Sequence, residues 1–116
     1  MTQANIARFI DQLNQNTQQL RFEDSMAIID ANFEFTPSAF TNGQQSNAAG
    51  ENSGSCKVFS FAQIQGLNQQ QTLHLFGQYY RDVVATPDAE DHQNIRQFML
   101  SGWDGITFSQ AALSNK

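Results

Sequence analysis

SCKVFSFAQIQGLNQQQTLHLFGQYYRDVVA, Ser55 to Ala85, is the stretch on which the fold class turns. Val58, Phe59, Phe61, Ala62 and Ile64 suit a buried helix, yet Phe59 and Phe61 also alternate as in a strand. The flanks favour the helix. Ser55 is a good N-cap, Gly66 suits a left-handed C-terminal position, and Asn68 with Gln71 three residues later makes a capping box. A second arm follows from Gln69 to Ala85, with Leu73, Phe76, Tyr80 and Val83 on one stripe and Tyr79 at its edge. The pair has the outline of a DNA-binding helix pair, but the would-be recognition arm carries one cation, Arg81, beside Asp82. That is too little charge to hold phosphates.

Upstream, Ile6, Phe9, Ile10 and Leu13 recur at the spacing of one helical stripe, and Phe22, Met26, Ile29 and Phe33 predict a second helix over about Glu23 to Phe33. Asn32 to Thr36 then alternates apolar with polar, and Pro37 holds Thr36 extended, so a short strand is expected there. From Thr41 to Ser55 there is no apolar periodicity, only Asn42-Gly43, Gly50 and Gly54 among polar residues. The reading is a long loop, and long loops inside small domains lean toward function. Downstream, Pro87-Asp88 breaks the chain and a helix from His92 to Ser101 begins behind Asp88, Glu90 and Asp91, with Ile95, Phe98 and Met99 as its apolar positions. Gly102 ends it. Ile106-Thr107-Phe108 is expected to pair with the strand near Phe35, and the last residues to fray. The expected whole is a single domain over residues 1–116, mainly α or α+β, with about five helices and a minor pair of short strands.

Composition narrows the functional classes. The 116 residues suit one hydrophobic core, and ten phenylalanines within 40% hydrophobic content argue against disorder. A net charge of −5 leaves few cations, so neither nucleic acid nor an anionic membrane is an expected partner, whereas a protein partner is. One cysteine builds no internal disulfide, no secretory signal is readable in Met1 to Leu20, and no span of membrane length occurs. The cytoplasm of the producing cell is the simplest location. Oligomeric state is not legible.

Candidate chemistry centres on Cys56. Placed at a helix start beside Lys57, the thiol would feel the helix dipole and a cation, two influences that favour thiolate. His92 can be its base, and Asn94, Asp88 or Asp91 can orient the imidazole, which makes Cys56, His92 and Asn94 the candidate catalytic set. Against this stand the usual inertness of free cysteines in cores and the ordinary capping role of acids before a helix. For binding, Asn52, Gly54, Ser55 and Lys57 form a glycine-bearing helix entry, and Trp103 with Tyr79 and Tyr80 can frame a cleft, although aromatic residues at helical spacing more often make core. The glycines lack the Lys-Ser/Thr pair of a phosphate-binding P-loop. Asp88, Glu90, Asp91 and His92 are too close in sequence to converge on one ion, so no metal and no cofactor is expected.

Four ordered blocks carry a resemblance: FTPSAFTNG (Phe35 to Gly43), GENSGSCKVFSFAQ (Gly50 to Gln63), TLHLFGQYYRDV (Thr72 to Val83) and PDAEDHQNIRQFMLSGWDGI (Pro87 to Ile106). Together they resemble the HopJ type III effector family over most of the chain. The resemblance implies a bacterial protein delivered into host cells by type III secretion. It implies no particular chemistry. Two functions from different classes are therefore expected: a noncatalytic interaction protein, or a Cys56-dependent enzyme or thiol carrier.

Overall fold

The computed structural model describes residues 2–116, with side chains from residue 5 onward. Six α-helices and five short strands are arranged as α1 (Thr2–Gln15), α2 (Phe22–Asn32), β1 (Phe33–Phe35), β2 (Phe40–Asn42), β3 (Gln45–Asn47), α3 (Ser53–Gln65), α4 (Gln69–His74), α5 (Gln78–Ala85), α6 (Gln93–Ser101), β4 (Ile106–Phe108) and β5 (Leu113–Asn115). A single tight helical turn, Gly102–Gly105, joins α6 to β4.

The expected α+β class holds, and α3 explains why its sequence was ambiguous. Cys56, Val58, Phe59, Ser60, Phe61 and Ala62 are all buried, so consecutive residues on different faces of the helix meet protein. A helix enclosed on most sides has no polar stripe from which to read its period. Phe59 lies within an aromatic cluster, with ring centroids 4.9 Å from Phe98, 5.5 Å from Phe76 and 6.0 Å from Phe40. Phe61, on another side, meets Phe33 and Phe9 edge-on at 6.0 and 6.2 Å. Such edge-to-face pairs add to the stabilisation from burial alone. The stripe on α1 falls as its spacing requires, with Ile6 and Leu13 buried and Phe9 and Ile10 packed against the core.

Local signals set several boundaries correctly. Gly66 ends α3 at φ 69°, and Asn68 and Gln71 exchange the reciprocal capping bonds expected of them. Other boundaries differ. The N-cap of α3 is Asn52 rather than Ser55, because the chain enters the helix three residues early through a left-handed Asn52. The expected second arm from Gln69 to Ala85 is two helices, split at Gly77 with φ 58°. Only glycine suits that conformation, and a Cβ there would lie 2.6 Å from the Arg21 carbonyl carbon. The Phe22 amide also donates to Gln78 Oε1 at 2.8 Å, so the start of α5 is fastened to the start of α2. Arg81, the cation of that arm, donates to the Thr17 and Leu20 carbonyls and is occupied by the turn between α1 and α2.

Strand pairing departs most from expectation. The strand at Ile106–Phe108 pairs antiparallel with β2, not with the strand near Phe35. The partner of β1 is β5, in the segment expected to fray, where Leu113 is buried opposite Phe35. Half of the expected long loop is a hairpin: β2 and β3 pair through a turn at Gly43, completing a three-stranded sheet in the order β3-β2-β4. The sequence marks β1 and β4 as strands, but three residues carry too little pattern to choose a partner, so the pairings had to come from the tertiary structure. Met99, read as an apolar helix position, is 38% exposed.

Candidate functional site

Cys56 points into the core. It is 1% exposed, and its thiol donates to the Ser38 carbonyl at 3.7 Å. Burial pushes the thiol above its ordinary value, outweighing the opposing contacts with the Ser38 backbone and Ser60. This direction is opposite to the one expected from a helix start beside a lysine. Desolvation, which disfavours any thiolate in an apolar setting, outweighs the dipole of α3 and the charge of Lys57. Lys57 turns outward to pair with Asp30 at 2.8 Å and lies 5.1 Å from the centroid of the Phe35 ring.

His92 and Asn94 instead meet Asn52, Gly54 and Ser55 across a cleft of about 530 Å³. Cys56, Lys57 and Trp103 are not among the residues lining it. Trp103 packs edge-on to Phe98 at 5.2 Å, and its indole N–H donates to the Leu67 carbonyl at 3.0 Å, anchoring the turn after α6 to the end of α3. Of the two tyrosines expected to frame it, Tyr79 does line the cleft, together with Phe22 and Phe76, whose spacing marked them only as core, whereas Tyr80 does not and accepts from Gln70 instead.

Two helix starts face one another here. Asn52 at φ 50° and His92 at φ 52° precede α3 and α6, and neither side chain caps its own helix. Their left-handed backbones are uncommon for non-glycine residues and aim both helix entries at the same space. The Asn52 amide is used elsewhere, donating to Asn47 Oδ1 at 2.7 Å. That oxygen also accepts from Asn94 Nδ2 at 3.0 Å, while Asn94 Oδ1 accepts from Asn42 and Asn47 at 3.1 and 3.3 Å. Asn42 also donates to the Asn94 carbonyl at 2.8 Å. Four amides thereby fasten the β2-β3 hairpin to the entries of α3 and α6. Asn42 and Asn47 were hidden in a stretch that reads as loop; the visible trace was the unusual number of asparagines between Thr41 and Asn52.

His92 stands between Asp91, whose carboxylate is 3.9 Å away, and Tyr79, whose ring centroid is 5.2 Å away at an interplanar angle of 30°. Asp91 is held mainly by Arg96, at 2.7 Å, and that hydrogen bond keeps its carboxyl below the usual range. Of the acids before α6, Asp91 is therefore tied to the helix it precedes.

A family model described as HopJ type III effector protein matches residues 6–113, which include every residue of the cleft. The chain belongs to the HopJ family. The HopJ description ranks its members among type III effectors, and it names no molecular activity. A crystal structure described as the unknown function protein VPA0580 is similar to this HopJ chain at TM-score 0.92 and 48% identity, over 95% of this chain and 92% of that one. No curated protein matches the chain. Among the described residues, no helix of this HopJ protein is long and apolar enough to cross a membrane.

Proposed function

We propose that this protein is a noncatalytic interaction protein, made in the bacterial cytoplasm and delivered into a host cell by type III secretion, which receives a partner protein in the cleft between the entries of α3 and α6. The observation that carries the reading is the separation of the lone thiol from the cleft. Cys56 is buried and its thiol form is favoured, while the cleft collects amide and aromatic groups suited to recognition. Chemistry by a Cys56 thiolate would need both solvent access and a base, and burial supports neither. The net charge of −5 supports a protein partner over a polyanion.

Three measurements test the reading. Alkylation of Cys56 in the folded protein should stay slow across the pH range in which free thiols react and become rapid only in denaturant. Fast alkylation of folded protein would restore the enzyme or thiol-carrier reading. Affinity capture from producer and host lysates should recover a partner with the native chain and lose it with Asn52→Ala and Tyr79→Ala. Fusion of the first few dozen residues to a translocation reporter tests delivery, and a reporter that stays in the producing cell counts against it.

A further inference from the structure

The cleft has a composition unlike the rest of this acidic surface. One wall is aromatic: Phe22 and Tyr79 have ring centroids 5.1 Å apart, Tyr79 and His92 5.2 Å, and Phe22 stacks on Phe76 at 6.3 Å. The rest of the lining is rich in amides, with Gln45, Asn52, Gln93 and Asn94. Among the described residues, no Asp, Glu, Lys or Arg lines the cleft. Around it acids predominate: exposed Glu51 adjoins Asn52, exposed Asp88, Glu90 and Asp91 lead into His92, and the cation beside Phe22, Arg21, is paired with Glu23 at 3.4 Å.

Resting on the interaction reading above, we propose that the cleft binds an extended segment of a partner protein that carries an aromatic side chain flanked by lysine or arginine. Each part of the site selects one part of that segment. An aromatic side chain gains apolar burial and edge or offset contacts against the Tyr79-His92-Phe22 wall. Amide side chains offer both a donor and an acceptor, so Gln45 can bond the N–H and C=O groups of a peptide backbone, while Asn52 and Gln93, whose amide nitrogens already donate to Asn47 and to the Glu90 carbonyl, offer their oxygens to its N–H groups. A charged side chain inside would be left without an opposite partner, which places the peptide's charges outside the cleft. There Glu51, Asp88 and Glu90 attract cations and repel acids; Asp91 contributes less because Arg96 shares its charge. The same rim opposes a nucleic acid, whose phosphates would meet carboxylates.

The test uses the full chain and a fluorescein-labelled Lys-Lys-Trp-Lys-Lys peptide, read by anisotropy and by the side-chain amide NMR signals of Asn52 and Gln93. Binding should move those signals and weaken about tenfold or more when alanine replaces the peptide's Trp, as for an anchoring aromatic. A Glu-Glu-Trp-Glu-Glu peptide should not bind. Tyr79→Ala should weaken binding comparably. Because that variant alters a packed residue, the exposed double change Glu51→Lys, Glu90→Lys serves as a second arm, expected to fold normally and lose the preference for the basic peptide. Equal binding of the acidic peptide, equal binding of the alanine peptide, or binding that leaves the Asn52 and Gln93 signals unmoved would each overturn the proposal. If these peptides fail while a lysate partner is captured by the native chain and lost with the cleft variants, the stated peptide chemistry falls and the interaction reading stands.

Discussion

At the scale of single residues, position in the sequence and position in the fold give different chemistry to the same side chain. Cys56 sits in the first turns of α3 beside a lysine, a setting that favours thiolate, and the core removes that advantage by desolvation. Cys56→Ala should cost about 1 kcal/mol in chemical denaturation, as small truncations in a core do, and leave partner capture unchanged. His74 shows the same effect in a base. Burial, and secondarily Arg81, lower its pKa from the ordinary 6.5. Between the folded value and 6.5 the unfolded chain binds more protons, so stability is full above 6.5, declines as pH falls through that window and levels off below it. Urea midpoints between about pH 7.5 and 5.5 should fall for the native chain and fall less for His74→Gln, in a range above the carboxylate titrations. A variant with the same slope would exclude His74 as the source.

At the scale of elements, two glycines with positive φ make different demands. Gly66 closes α3 at φ 69° with nothing within 4 Å of where a Cβ would sit. Gly66→Ala should therefore cost about 1 kcal/mol, the strain of the left-handed cap alone. Gly77 has φ 58° and stands against the backbone of Arg21 and Phe22. Gly77→Ala must distort two elements and should cost about 3 kcal/mol or more, with thermal unfolding as the readout. Gly66 was legible as a helix end because the signals for it, a preceding apolar run and a following capping box, all lie nearby in the chain. Gly77 was not. Its apolar stripe continues through Leu73, Phe76, Tyr80 and Val83 on either side, and the reason for a glycine is the approach of α2, more than fifty residues away in sequence.

At the scale of the whole molecule, the two small sheets fasten distant parts of the chain together. β5 brings the last residues back to β1 and buries Leu113, while β4 joins the β2-β3 hairpin. Deleting residues 113–116 should cost about 3 kcal/mol, since it removes a buried leucine and the β1 pairing together. Loss should appear as one cooperative shift of the denaturation curve; an unchanged midpoint would show that β5 contributes little. The sheet containing β2 and β3 also supports the cleft, because Asn42 and Asn47 lie on those strands and bond Asn94 at the entry of α6.

Helix identity, the α1 stripe, the Gly66 stop and the Asn68-Gln71 cap were all readable from the chain, because helical periodicity and capping depend on residues within about a turn of one another. Family membership was readable for a related reason: ordered blocks of residue types survive without reference to their contacts. Strand partners, the break at Gly77 and the membership of the cleft were not, because each depends on segments far apart in sequence meeting in space. His92 and Asn94 meet Asn52 and Ser55 only after α3 and α6 pack with their starts together. The same packing turns Cys56, one residue beyond Ser55, inward to the core, since adjacent positions on a helix point about 100° apart.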